Sequence, residues 1–144
     1  MIIKKALIAA AGYGNRMLPV TKAVQKEMLP VLNRPVIDYI VEDCLKAGIN
    51  EFVIVANSSD NQMHSFYEED EKLNTYLRTF NKLDILERIS RLHTNAHFSY
   101  VVQTPQDPYG TTTPLKLAKE HLENEDAFLV FMGDDFILGL AQLS

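Results

Sequence analysis

Four short apolar runs, spread along 144 residues, constrain this chain more than any other feature. They are Ala6-Leu7-Ile8-Ala9-Ala10, Phe52-Val53-Ile54-Val55-Ala56, Phe98-Ser99-Tyr100-Val101-Val102-Gln103 and Ala127-Phe128-Leu129-Val130-Phe131-Met132. Short, β-branched, nearly continuous runs suit strands of a parallel sheet covered on both faces. The first strand is expected over residues 5–10. A helix follows over residues 35–47, with Val36, Ile37, Ile40, Val41, Cys44 and Leu45 at helical spacing. Pro35 at its first turn and Gly48 just past its end punctuate it. The first two strands and this helix make a βαβ unit, which is expected to be right-handed. A second helix over residues 114–122 leads into the fourth strand. The fold class is therefore α/β: an open, mainly parallel, Rossmann-like sheet with helices on both faces.

Between the first strand and the first helix lies a segment, residues 9–30, too long for a simple connection. It carries Gly12, Gly14, Arg16, Lys22 and Lys26, with Glu27 as its only acid. Glycines let backbone N–H groups approach a ligand, and the cations beyond them suit an anion such as a triphosphate. The Walker spacing is absent, and Met17 stands where a dinucleotide fingerprint needs its third glycine. Pro19 also steers the segment away from entering a helix. A solvated glycine-rich βα turn is the plain alternative to a phosphate cradle.

Charge is unevenly placed. Residues 1–50 hold seven Lys and Arg against four acids, and residues 51–144 hold seven against fifteen. The net charge of −5 argues against a nucleic-acid partner, while the local positive balance falls on the glycine segment. No apolar run is long enough for a membrane span, and no signal-peptide pattern opens the chain. The single cysteine, Cys44, excludes an internal disulfide and fits a reducing cytoplasm. One domain is expected from this length.

Residues 59–92 read as a polar helical excursion with the acidic cluster Glu68-Glu69-Asp70-Glu71 and apolar stripes at Leu73, Tyr76, Leu77 and Phe80, then Leu83, Leu86 and Ile89. His93 and His97 are four apart, but a strand begins between them and no HExxH pattern is present, so zinc is not expected. No histidine is given a catalytic role. Gln103 and Gln106 both precede Gly110 in a loop rich in Thr and Pro. Thr112 or Thr113 is expected to cap the helix that Pro114 opens. After the fourth strand come Gly133-Asp134-Asp135, at a strand's carboxyl end, where open α/β sheets bind ligands. Carboxylates there are either a turn or a Mg²⁺ site.

Gly12-Tyr13-Gly14-Asn15-Arg16-Met17-Leu18-Pro19, Thr21-Lys22-Ala23 and Lys26-Glu27-Met28-Leu29-Pro30 together resemble the signature of sugar-1-phosphate nucleotidylyltransferases. Within them the chain is most similar to the bacterial UTP–glucose-1-phosphate uridylyltransferases; thymidylyl relatives tend to carry Gln where this chain has Glu27. The resemblance implies a fold of the nucleotide-diphospho-sugar transferase type, UTP and glucose-1-phosphate as substrates, and Mg²⁺ as cofactor. It implies Arg16 and Lys26 as catalytic cations and Asp134 as the metal ligand. Ala11, Gly12, Gly14, Glu27, Gln103 and Gly110 are implied as nucleotide contacts, with Gln106 a rival to Gln103. The family usually has Gly-Leu-Gly-His-Ala where this chain reads Gly110-Thr111-Thr112-Thr113-Pro114, which leaves base identity open. The helical excursion, similar to one in the uridylyl family, favours UTP.

The resemblance spans nearly the whole chain but only the first half of the family's catalytic domain. Residues 1–144 are expected to be the nucleotide-binding part, with the excursion at about 59–95 and the sugar-binding half absent. That half supplies most sugar contacts, a further lysine and a second metal aspartate, and residues 136–144 read as the start of a continuing segment. A sheet flank left uncovered is expected to lead to self-association into a homo-oligomer or to low stability. The alternatives to an active uridylyltransferase are a thymidylyl or other sugar-nucleotide pyrophosphorylase, a nucleotide-binding module without catalysis, and a structural domain.

Overall fold

The computed structural model describes residues 1–59 and 61–136. Four parallel strands form the sheet: β1 (Lys5–Ala10), β4 (Glu51–Ala56), β5 (His97–Val102) and β6 (Leu129–Met132), in the spatial order β5-β4-β1-β6. Lys5 pairs with Glu51, Glu51 with His97, and Ala6 with Leu129. The chain builds outward from β1 in one direction and then returns to place β6 on its other side. That reversal opens a crevice at the carboxyl ends of the strands.

Side-chain alternation divides the core in two. Ala6, Ile8 and Ala10 of β1 with Phe52, Ile54 and Ala56 of β4 meet Ile37, Ile40, Val41 and Cys44 of helix α1 (Val36–Lys46) and Met63 and Tyr67 of α2 (Gln62–Tyr67). Leu7, Val53 and Val55 point the other way, onto Ala118 and Leu122. Helices thus cover both faces, as the buried runs require. At the end of α1, the N–H groups of Gly48 and Ile49 bond the carbonyls of Leu45 and Cys44 at 3.0 and 2.9 Å, which satisfies the last turn.

Several boundaries differ from the sequence reading. Pro35 stands before α1 as its cap because it pairs with Pro30 in a short hairpin, β2 (Pro30–Val31) and β3 (Arg34–Pro35). The helix expected over 114–122 is two short pieces, α5 (Thr113–Leu117) and α6 (Lys119–Leu122), parted at Ala118, where ψ is 7°. Thr112 occupies the expected cap position but makes no side-chain cap bond, and the Thr113 hydroxyl, in the first turn, donates to the Pro108 carbonyl at 2.6 Å. β5 starts one residue early and β6 two residues late.

The excursion holds α2, α3 (Glu71–Thr79) and α4 (Leu83–Ser90). Asn61 and Asp70 cap α2 and α3 by accepting from the N–H groups of His64 and Leu73 at 2.8 and 2.9 Å. Leu77 is the one buried residue of α3, and α4 buries none, so this hairpin rides outside the core. Val130 and Met132 of the edge strand β6 are exposed. The turn expected at Asp60 and the segment expected to continue from 136 fall largely outside the described residues.

Candidate nucleotide site

After β1 the chain turns at Gly12 and Gly14 and runs through three 3₁₀ turns, Asn15–Met17, Val20–Lys22 and Lys26–Met28. Gly14 has φ 66°, a conformation costly for any residue with a Cβ. A Cβ there would also lie 2.7 Å from Thr21 Cγ2, and the Thr21 hydroxyl donates to the Gly14 carbonyl at 2.7 Å. The loop closes on itself at this point. A Cβ on Gly12 would lie 3.3 Å from Lys26 Cε, so this glycine gives the lysine stem its passage.

Farther along, Gln25 and Gln62 brace the loop against α2. Each backbone N–H donates to the other's side-chain oxygen at 2.7 Å, and the Gln62 amide donates to the Ala23 carbonyl at 3.0 Å. Beyond Pro30, Arg34 donates through Nε and Nη2 to the buried Asp38 carboxylate at 3.0 and 2.8 Å, while Tyr67 donates to its other oxygen at 2.9 Å. Tyr39 donates to the Val31 carbonyl at 2.9 Å. The loop's tail is therefore clamped to α1 and α2.

A cleft of about 710 Å³ opens at the carboxyl ends of the strands. Its walls come from the segments after β1, β5 and β6. Ala11, Gly12, Gly14, Arg16, Lys26, Gln103, Gly110 and Asp134 all line it, residues gathered from three separate stretches of sequence. Tyr13, Asn15, Tyr109, Thr111 and Asp135 line it too. Gln106 is not among the lining residues, whereas Gln103 is, and the Gln103 side-chain oxygen is buried without a hydrogen-bond partner. Of the two rival amides, Gln103 is the one at the cleft. Lys26 Nζ donates to Asp134 Oδ2 at 3.0 Å.

Glu27, expected as a nucleotide contact, lies elsewhere. It has no accessible surface and is not among the cleft residues. Adjacent residues of a 3₁₀ turn diverge, so Lys26 faces the cleft while Glu27 enters the protein. Its Oε1 lies 3.9 Å from Lys26 Nζ, and neither oxygen has a hydrogen-bond partner. Burial pushes its carboxyl up to about 7, only partly offset by the Lys26 charge. Gly133 makes room for it, since a Cβ there would lie 2.8 Å from Glu27 Cγ. The sequence carries no sign of this pairing, nor of the Gln25–Gln62 brace.

Among the described residues, no group of three or more His, Cys, Asp and Glu side chains is arranged to hold a metal ion. Asp134 and Asp135 supply carboxylates at the cleft wall, the number that Mg²⁺ usually takes when substrate phosphates complete its shell. No helix among the described residues is long and apolar enough to cross a membrane.

The pattern of the family described as Nucleotidyl transferase matches residues 5–143. Over 135 residues the chain is 40% identical to a UTP–glucose-1-phosphate uridylyltransferase of Staphylococcus epidermidis, covering 94% of this chain and 46% of that protein. The corresponding protein of Mycoplasma genitalium is 39% identical, with 94% of this chain and 45% of that protein covered. A solved structure described as UTP-bound UGPase from Acinetobacter baumannii superposes with a TM-score of 0.85 at 33% identity, over 92% of this chain and 46% of that one. The chain spans less than half the length of these relatives. Glycine loop, strand order and family match agree, and the chain belongs to the nucleotidyl transferase family.

Proposed function

We propose that residues 1–144 are the nucleotide-binding part of a nucleotidyltransferase that makes UDP-glucose and pyrophosphate from UTP and glucose-1-phosphate. One observation carries this reading. The glycine loop, two cations, an unpartnered amide oxygen and a carboxylate line one cleft at the carboxyl ends of the strands.

In the reaction, an oxygen of the sugar-1-phosphate attacks the α-phosphorus of UTP, and the bond to pyrophosphate breaks. Such a transfer needs alignment and cancellation of negative charge more than covalent help. Arg16 grips the departing pyrophosphate with its planar fork. Lys26 lies against the α-phosphate and the incoming sugar phosphate. Backbone N–H groups from Ala11 to Gly14 bind phosphate oxygens, and Gln103, with the Gly110 backbone, reads the base. Asp134, with Asp135 beside it, would hold Mg²⁺, which supplies further positive charge to the phosphates. A single buried thiol fits action in a reducing cytoplasm, where both substrates would be small soluble anions.

Coverage of only 46% of the Staphylococcus epidermidis relative favours a second reading, a module that binds UTP without turning it over. Exchange of labelled pyrophosphate into UTP, with UDP-glucose as partner substrate, separates the two. The first reading predicts exchange that falls about a hundredfold or more in Arg16→Ala and Lys26→Ala, with UTP affinity changed less. UTP binding without exchange would leave the module, and full exchange in a variant would remove that residue from the site.

A further inference from the structure

The two charged groups assigned above to opposite kinds of ligand are each other's partner. Lys26 Nζ stands 3.0 Å from Asp134 Oδ2, with side chains 24% and 33% exposed. Among the described residues Asp134 has no second ion pair, while Lys26 Nζ also lies 3.9 Å from an oxygen of the buried Glu27. Asp135 lines the same cleft and forms no ion pair among the described residues.

We propose that the Lys26–Asp134 pair is an autoinhibitory latch that makes a divalent cation and a polyphosphate bind as a coupled pair; this rests on the function proposed above. A polyphosphate arriving alone must draw Lys26 away and leave a bare carboxylate facing an anion. A divalent cation arriving alone must draw Asp134 away and leave an ammonium facing a cation. When both arrive, each takes the group that the other releases, and no like charges are left opposed. The coupling is a free energy shared between two sites, so it acts equally in both directions.

The latch makes a counter-intuitive prediction: removing the carboxylate that holds the cation strengthens anion binding when no cation is present. Pyrophosphate binding to the whole chain in excess chelator is measured by calorimetry, and binding of Mn²⁺ alone by electron paramagnetic resonance. A partly exposed pair of this kind is worth about fivefold in a binding constant. Asp134→Asn is expected to bind pyrophosphate about fivefold tighter than the unaltered chain, and Asp135→Asn less than twofold tighter. Lys26→Met is expected to bind Mn²⁺ about fivefold tighter. In a Lys26→Met background, where Arg16 still binds the anion and no pair remains to break, adding Asp134→Asn brings only the small gain of Asp135→Asn, the repulsion that any one carboxylate exerts on an anion. A gain no larger than that of Asp135→Asn, or one that stays about fivefold without Lys26, overturns the latch and leaves the nucleotide site standing. Failure of every variant to bind pyrophosphate overturns the proposed function, and the latch with it.

Discussion

The segment after β1 and the segment after β5 line the same cleft, but their backbones are held by different means. The first is clamped along its length. Thr21 closes it on Gly14, the Gln25–Gln62 pair fixes its middle, and Glu27 is wholly buried beneath it. The second depends on short-range bonds at the surface. Asp107 accepts from the Thr104 N–H and hydroxyl at 2.6 and 3.1 Å, and Thr113 donates to the Pro108 carbonyl. Gln103 to Gly110 bury no residue fully, and the Tyr109 side chain stands free of its surroundings. A triphosphate is the same in every nucleoside triphosphate and can be met by a preformed cradle. In the proposed function, base recognition falls to a loop whose shape depends on fewer buried contacts, and such a loop can change at little cost to the core.

The largest expected effect tests the rigid side. Gly14→Ala must place a Cβ at φ 66° and against Thr21, which its own hydrogen bond prevents from turning away. It is expected to destabilise by about 3–4 kcal/mol in denaturant unfolding. A loss below 1 kcal/mol would show that the loop yields easily.

Next comes the pH dependence from Glu27. Its carboxyl ordinarily titrates at 4.5 and is raised to about 7 in the fold. The folded chain therefore binds an extra proton between those values. Its contribution is fully present below about pH 4.5, is lost as the pH rises to about 7, and is constant above that. The loss is roughly 3 kcal/mol as an upper figure. Urea unfolding across pH 4.5–8 checks it, and Glu27→Gln is expected to flatten that slope.

On the other loop the effects are smaller. Gly110 has φ 145° but no atom within 4 Å of a Cβ, so Gly110→Ala meets only backbone strain, about 1–2 kcal/mol. Thr113→Val removes the bond to Pro108, and about 1 kcal/mol is expected in the same measurement. If these two changes cost as much as Gly14→Ala, the contrast between the loops is wrong.

The sheet was legible because buried parallel strands are written as uninterrupted apolar runs, and the 5–10 strand needed no correction. The glycine loop was legible because glycines and cations crowd one short stretch. Glu27 was not, since a lone acid among lysines looks like a ligand contact whether it faces the cleft or the core. What decides is the turn geometry and the space at Gly133, a residue 106 positions away. The Gln25–Gln62 brace depends likewise on two residues 37 apart in sequence. The threonine cap was legible only in position: Thr112 sits at the cap without a side-chain bond, and Thr113 falls inside the helix, where its hydroxyl donates to Pro108.

The central claim is that one cleft, built from the ends of three strands, takes a nucleoside triphosphate. Titrating the ¹⁵N-labelled chain of 16.3 kDa with UTP tests it residue by residue. Amide shifts are expected to gather on Gly12, Gly14, Arg16, Gln103 and Gly110. Shifts confined to the far end of the sheet, around Lys5, His97 and His121, or no shifts at saturating UTP, would contradict it.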